Sequence, residues 1–374
     1  MSEALLRVLR GLAGDRFFLI LLAGLVVLAA VSPARLSSYP SLIDGGTLAV
    51  LTGLLLLTKG LELSGVLQRL GLRLVQAMPS ERAIALSLVL ATAVLSMVLT
   101  NDVALFVVVP LTLGVCRLTA LPATRLIVFE ALAVNAGSTL TPIGNPQNLF
   151  LWQLSKVSFG DFVLHQAPLV AGLMVALAAL TWVTFSRREI HLAPAPVSPL
   201  DAHLLGLSAM LYVPFLMSAE LGRAPGMVAV LLILFFVVRR RVVLELDWGL
   251  LLVFALMFVD LRLLAQLPAV TSAMSGLDLR QPLNLYLASI GASQLISNVP
   301  AAIALSEYTA DWRVLAYGVN VGGFGFMVGS LANLIALRMS GDARAWRLFH
   351  AYAVPALVFG VVLGAMCLHV VGLL

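Results

Sequence analysis

Apolar stretches follow one another along most of this chain, and polar positions interrupt them at only a few places. FFLILLAGLVVLAAV, APLVAGLMVALAALTWVTF and VPALVFGVVLGAMCLHVVGLL run for 15, 19 and 21 residues. About 17–25 apolar residues suffice for a helix to cross a bilayer. The period-two alternation of a membrane β-barrel is absent. The pattern therefore predicts an all-α polytopic membrane protein.

The interruptions carry the information. LTNDVAL (99–105) and ISNVPAA (296–302) each place a polar cluster in the middle of an apolar stretch. The arms around the first, AIALSLVLATAVLSMVL and VALFVVVPLTLGV, are each short for a full crossing. They predict re-entrant helical hairpins with polar tips at mid-membrane, over 83–118 and 284–308. NAGSTLTPIGNPQN (135–148) and NVGGFGFMVGSLANL (320–334) predict broken helices over 124–152 and 314–338. Pro142 and Pro146 each remove a backbone donor. In hydrocarbon such backbone survives only against protein or a water-filled cavity. A Pro kink that merely shapes a helix is the plain alternative for one break. Two breaks at matching places point to a transport site.

The matches extend further. Asn135, Gly137, Gly144, Asn148 and Leu149 align with Asn320, Gly322, Gly329, Asn333 and Leu334, each 185 residues on. Thr100-Asn101 aligns with Ser297-Asn298, and Asp44, Gly46 and Lys59 align with Asp247, Gly249 and Arg262. The chain thus reads as two repeats, 1–185 and 203–374, joined by the basic, Pro-punctuated linker 186–202.

Charge sets their orientation. With a cytoplasmic N-terminus and two hairpins, 16 of the 23 basic residues fall inside, among them Arg7, Arg10, Arg82, Arg117, Arg187 and Arg188. Five fall outside: Arg35, Lys156, Arg223, Arg280 and Arg313. The repeats then have opposite topology, with about nine full crossings plus the hairpins. The first apolar run lacks a cleavage site and reads as a retained helix. LELSGVLQRLGLRLVQAM (61–78) is amphipathic and fits the cytoplasmic interface.

Composition agrees: 61% of the 374 residues are hydrophobic and 11% charged, against about 25% charged in soluble proteins. The net charge of +5 comes from short loops and marks topology, not nucleic-acid binding. Cys116 and Cys367 lie far apart in apolar runs, which argues against a disulfide or metal site. HExxH, GxSxG and phosphate-loop motifs are absent, and the five histidines fall in loops or at helix ends, so neither an enzyme nor a primary pump is indicated.

Asp102 stands out, because an ionisable residue at mid-membrane is costly and usually functional. It suits Na+ binding or H+ transfer. Glu130 is expected to neutralise Arg125, Lys59 to pair with Glu62, and Asp260 and Arg262 to snorkel near a helix end.

LTNDVALFVVVP, NAGSTLTPIGNPQN, ISNVPAAI and NVGGFGFMVGSLANLIALR resemble the ion transporter superfamily, specifically its citrate-transporter-like and arsenite-permease-like families of the bacterial inner membrane. The resemblance covers nearly the whole chain. It implies a homodimer working by an elevator movement, without a cofactor. Substrate would sit between two hairpin tips, with Na+ between each tip and a broken helix. Carried over, the tips are Thr100-Asn101-Asp102 and Ser297-Asn298-Val299, and the breaks span Thr141 to Asn148 and Phe326 to Asn333. Thr100, Asn101, Ser138, Thr139, Asn145, Pro146, Ser297, Asn298, Gly329 and Ser330 would then face substrate. Asp102, Thr141, Gly144, Asn148, Gly323 and Asn333 would face the coupling ion, Na+ or H+. Asp102 and Val299 depart from the third-position Thr of the related divalent-anion/sodium symporters, and an ionised Asp102 would repel a dicarboxylate. The expected function is ion-coupled transport of a small anion. Arsenite efflux and Na+/H+ exchange through Asp102 are the alternatives.

Overall fold

The computed structural model describes residues 16–31, 38–119, 121–190 and 199–374. Arg7, Arg10, Arg35, His191 and the middle of the expected linker lie outside them. The described residues are helical apart from turns and one isolated β-bridge between Ser80 and Glu189.

In chain order the helices are α1 (Arg16–Val31), α2 (Gly45–Leu63), α3 (Val66–Gln76), α4 (Glu81–Val98), α5 (Asn101–Thr119), α6 (Ala123–Ser138), α7 (Pro146–Ser155) and α8 (Phe159–Thr184). There follow α9 (Ala202–Glu220), α10 (Ala224–Leu244), α11 (Trp248–Ala265), α12 (Pro268–Ser275), α13 (Pro282–Ile296), α14 (Asn298–Ser306), α15 (Trp312–Val321), α16 (Leu331–Ser340) and α17 (Ala345–Val370). One-turn elements cover Tyr39–Leu42 and Met327–Gly329. Among the described residues, α2, α4, α8, α9, α11 and α17 are long and apolar enough to cross a bilayer. The chain is a multi-pass membrane protein.

Local chemistry sets the helix starts. Asp44 accepts from Thr47 N at 3.0 Å to open α2, and Asp247 accepts from Leu250 N at 2.9 Å to open α11. Gly65, at φ +81°, turns the chain from α2 into the amphipathic α3. Asp201 caps α9 and holds Arg239 of α10 at 2.8 Å. The Leu204 amide, and then Arg239, keep its carboxyl below the usual carboxylate range.

Two apolar cores result. One gathers α4, α5 and α6 with parts of α8, α13, α16 and α17. The other gathers α1, α2, α7, α9, α10, α11 and α14. Helix α15 serves both, with Val314, Tyr317 and Val321 in the first and Leu315, Ala316 and Val319 in the second. The two pieces α6 and α7 therefore bury their apolar faces in different cores, and the polar segment between them lies at the seam. Packing also pairs the pieces crosswise. Helix α16 lies on α5 and α6, while α7 lies on α14 and α15; α1 lies on α11, while α10 lies on α2.

Some side chains differ from expectation. Glu130 is fully buried and takes its hydrogen bond from Thr112 Oγ1, not from Arg125, because α5 packs directly on α6. Asp260 does not snorkel: it is 6% exposed, with no hydrogen-bond partner on either oxygen. Gly24 of α1 lies against it, where a Cβ would come within 3.3 Å of its Oδ2. Arg262 turns away to Glu307 at 3.2 Å and to Leu42 O at 2.6 Å. Lys59 pairs with Glu62 at 2.7 Å as expected. His165 sits inside α8, ringed by Trp312 and Tyr317, rather than at a helix end.

Helices α4 and α6, and likewise α13 and α15, approach each other through a glycine at the end of the later helix. A Cβ on Gly137 would lie 2.2 Å from Ala93 O, and one on Gly322 would lie 2.4 Å from Ser293 Cβ. Small residues allow such approach where no hydrophobic force drives helices together. Gly137→Ala is expected to cost about 1–3 kcal/mol through overpacking, read as a lower Tm of the purified protein. An unchanged Tm would mean that α4 and α6 are not this close.

Candidate functional site

The breaks are built from residues that cannot stay helical. Asn145, in extended backbone, caps α7: its Oδ1 accepts from Asn148 N at 2.8 Å. Pro146 follows at the first helical position, where a missing N–H costs nothing. Ser330, which aligns with Asn145, has the same extended backbone before α16, but its buried hydroxyl has no hydrogen-bond partner.

Backbone carbonyls released by the breaks turn to carboxamides. In the first break Asn148 Nδ2 lies 3.2, 3.0 and 3.1 Å from the carbonyl oxygens of Ser138, Thr139 and Thr141. In the second, Asn333 Nδ2 donates to Gly323 O at 2.9 Å, and Gln294 of α13 reaches across to Gly322 O and Phe324 O at 2.6 and 2.8 Å. Side chains thus replace the water that a bilayer does not supply.

Reciprocal amide pairs join the two breaks. Asn135 Nδ2 donates to Asn333 Oδ1 at 2.7 Å, and Asn320 Nδ2 donates to Asn148 Oδ1 at 2.6 Å. Asn135 aligns with Asn320, and Asn148 with Asn333, so each pair is the other with its halves exchanged. Asn320 Oδ1 also accepts from Asn145 Nδ2 at 3.1 Å and Gln147 Nε2 at 3.3 Å.

The hairpin tips close on this network. Asn101 N donates to Gly144 O at 2.8 Å, and Thr141 Oγ1 donates to Met97 O at 2.6 Å. At the other tip, a Cβ added to Gly323 would lie 3.3 Å from Asn298 Nδ2. Ser297, the preceding residue, adopts φ +75°, ψ 153°, a region that only glycine occupies without strain.

Helices α5, α7, α14 and α16 all begin at these tips and breaks. Each start carries partial positive charge and free N–H groups. No Lys or Arg takes part in the network among the described residues. Asp102 lies in the first turn of α5, within the field of Asp247 at the start of α11.

A family model described as "Citrate transporter" matches residues 15–313. The chain belongs to the citrate transporter family. It is 45% identical over 361 residues to the inner membrane protein YbiR of Escherichia coli, covering 96% of this chain and 97% of that protein. It is 34% identical over 271 residues to the uncharacterized transporter MJ0456 of Methanocaldococcus jannaschii, covering 71% and 74%. A shorter match, 33% identical over 126 residues, covers 33% of this chain and 26% of the silicon efflux transporter LSI3 of Oryza sativa. The crystal structure of the Alcanivorax borkumensis YdaH transporter has a similar fold, with TM-score 0.56 at 16% identity over 90% of this chain and 88% of that one. The chain is thus a membrane transporter of the citrate transporter family, and not an enzyme.

Of the residues expected at the site, Asn101, Ser138, Thr139, Thr141, Gly144, Asn145, Asn148, Gly323 and Asn333 are bonded into the tips and breaks. Pro146 starts α7, Asn298 starts α14, and Gly329 closes on Phe326 O. The side chains of Thr100, Asp102, Ser297 and Ser330 take no part in these bonds. Asn135, Asn320 and Gln294 were not among the expected residues, whereas Gln147 falls inside the expected break Thr141 to Asn148. Asn135 and Asn320 were visible as the first matched pair of the repeats. Gln294 had a weaker signal, a carboxamide beside Ser293 in a mostly apolar arm.

Asn320→Ala should cost more than Asn135→Ala. It removes the acceptor of Gln147 Nε2 and the donor to Asn148 Oδ1, whereas Asn135→Ala leaves only Asn333 Oδ1 without its donor, and each buried polar group left unpaired costs about 1–3 kcal/mol. Thermal unfolding of both variants checks the order, and equal losses would contradict it. Ser297→Gly should raise Tm by relieving strain of about 1–3 kcal/mol. A lower Tm would show that the tip is not strained.

Proposed function

We propose that this protein is an ion-coupled secondary transporter that carries a small anion across the bacterial inner membrane by an elevator movement. The observation that carries this reading is the four helix starts gathered at the seam between the cores, lined by carboxamides and hydroxyls. Anions bind at such termini without a cationic side chain. Thr100, Asn101, Ser297 and Asn298 at the tips, with Ser138, Thr139, Asn145, Pro146, Gly329 and Ser330 at the breaks, hold the substrate. Asp102 with Thr141, Gly144 and Asn148 serves the coupling ion.

The crosswise packing and the exchanged Asn pairs support two inverted repeats. The separate cores support movement of one against the other, with the chain working as a homodimer and its N-terminus in the cytoplasm. Asp102 favours a second substrate class. An uncharged oxyacid such as undissociated arsenous or silicic acid tolerates a carboxylate at the tip better than a dicarboxylate does. The silicon efflux relative supports the same reading.

The test is thermal stability of the purified protein in NaCl and KCl at equal ionic strength, with a panel of small anions and oxyacids. A ligand bound only by the folded state adds about 2.7 kcal/mol at 100 Kd. A sodium-specific rise, enlarged by one anion and lost in Asp102→Asn, is the expected outcome. Uptake by Asp102→Asn that keeps its full ion dependence would remove Asp102 from the coupling site.

A further inference from the structure

The two breaks satisfy their carbonyls differently, and the difference bears on where a coupling ion sits. This inference rests on the ion-coupled reading. In the second break three consecutive carbonyls, those of Gly322, Gly323 and Phe324, all accept from carboxamide nitrogens. Gln294 supplies the outer two. Its Nε2 carries two N–H groups, and each has one carbonyl, at 2.6 and 2.8 Å. Its Oε1 accepts from Phe326 N at 2.7 Å. A Cβ on Gly329 would lie 3.1 Å from Nε2 and 2.6 Å from Gly322 O, so the loop is closed tightly around the amide.

Carbonyl oxygens that converge on one point make the donor set that unwound membrane helices offer to a cation. Here a neutral amide already occupies that point, at hydrogen-bonding distance from both oxygens. The first break has no such arm. The residue that aligns with Gln294 is Met97, which offers only its backbone carbonyl, to Thr141 Oγ1. Asn148 must serve three carbonyls with two N–H groups, at longer distances of 3.0–3.2 Å. The tips differ in the same sense. The first carries Asp102, whereas the second carries Val299 at the matching position.

We propose that the Gln294 carboxamide takes the place of a cation in the second break, so that this half binds no coupling ion and any coupled cation is held by the first half alone. Gln294 is a positioning residue under this proposal, and it sets the number of ions per cycle.

The experiment measures thermal unfolding of the purified full-length protein in NaCl, KCl and choline chloride at equal ionic strength. It compares the parent with Gln294→Glu and Gln294→Ala. The parent should show a one-site sodium response or none. Gln294→Glu sets a carboxylate against two carbonyls, and Gln294→Ala leaves those carbonyls bare. Both should melt lower in choline chloride and recover several degrees more in NaCl than the parent does, a gain that a purely structural role would not produce. A single variant that folds suffices. The proposal is overturned if the variants are destabilised equally in all three salts, or if the parent shows two sodium sites of which one survives Asp102→Asn. Because no substrate is needed, a failure of the transport reading would show separately, as absence of uptake, and would leave this result to stand alone.

Discussion

A helix that stops inside a bilayer leaves carbonyls and amides with no water to receive them. Most of this structure follows from meeting that constraint twice. Each break needs donors for its carbonyls, and uncharged carboxamides supply them without importing charge. Asn148, Asn333 and Gln294 do this work directly. Asn135 and Asn320 hold those amides in turn, so the breaks are parts of one buried network. A network of this kind rigidifies a core only when its members are satisfied. Two of its neighbours are not, since Ser330 Oγ and Gln147 Oε1 are buried without hydrogen-bond partners. They are the unspent donor and acceptor closest to the breaks in sequence.

The exchanged pairs also explain why neither half is complete alone. Asn135 of the first half finds its acceptor on Asn333 of the second, and Asn320 finds its acceptor on Asn148 of the first. The same exchange governs the outer helices, where α1 packs on α11 and α10 on α2. An isolated first half would leave Asn135 Nδ2 without either acceptor in an apolar medium, and an isolated second half would leave Asn320 Nδ2 with Ala316 O alone. Docking of the halves is therefore tied to satisfying the breaks. Gly137 and Gly322 act within each half, where the close approach of α4 and of α13 leaves no room for a side chain.

Much of this was legible in the chain itself. Pro142, Pro146 and the clustered amides announce the first break, because Pro forbids the ladder and Asn replaces it. The polar clusters Thr100-Asn101 and Ser297-Asn298 announced the junctions between α4 and α5 and between α13 and α14, although α4, at 18 residues, is long and apolar enough to cross. Asp44 and Asp247 announced helix starts in matching places, and both serve as caps. What failed was partner choice between distant elements. Arg125 is near Glu130 in sequence, yet Thr112 of the adjacent helix reaches the carboxylate first. Asp260 lies near a helix end, yet α1 covers it, a contact that periodicity does not encode. Gln294 stands with Asn284, Ser289 and Ser293 on a mostly apolar helix. Its role depends on a loop 28 to 32 residues away, and only the fold brings the two together.

The absence of Lys and Arg from the network, among the described residues, fits a transporter better than a tight binder. A fully charged side chain at mid-membrane would hold an anion strongly, and it would be left exposed and unpaired whenever the site emptied, at high cost. Helix starts and amides attract through partial charges, which the surrounding carbonyls keep satisfied in either condition. Attraction strong enough to load but weak enough to unload is what repeated passage requires. Asp102 then supplies the one full charge at the tips. It lies in the first turn of α5, where the helix start favours an anion. Under the proposed coupling, a single carboxylate beside an otherwise neutral site would tie ion occupancy to substrate occupancy. With carboxylates at both tips, an anion would meet two repulsive groups rather than one.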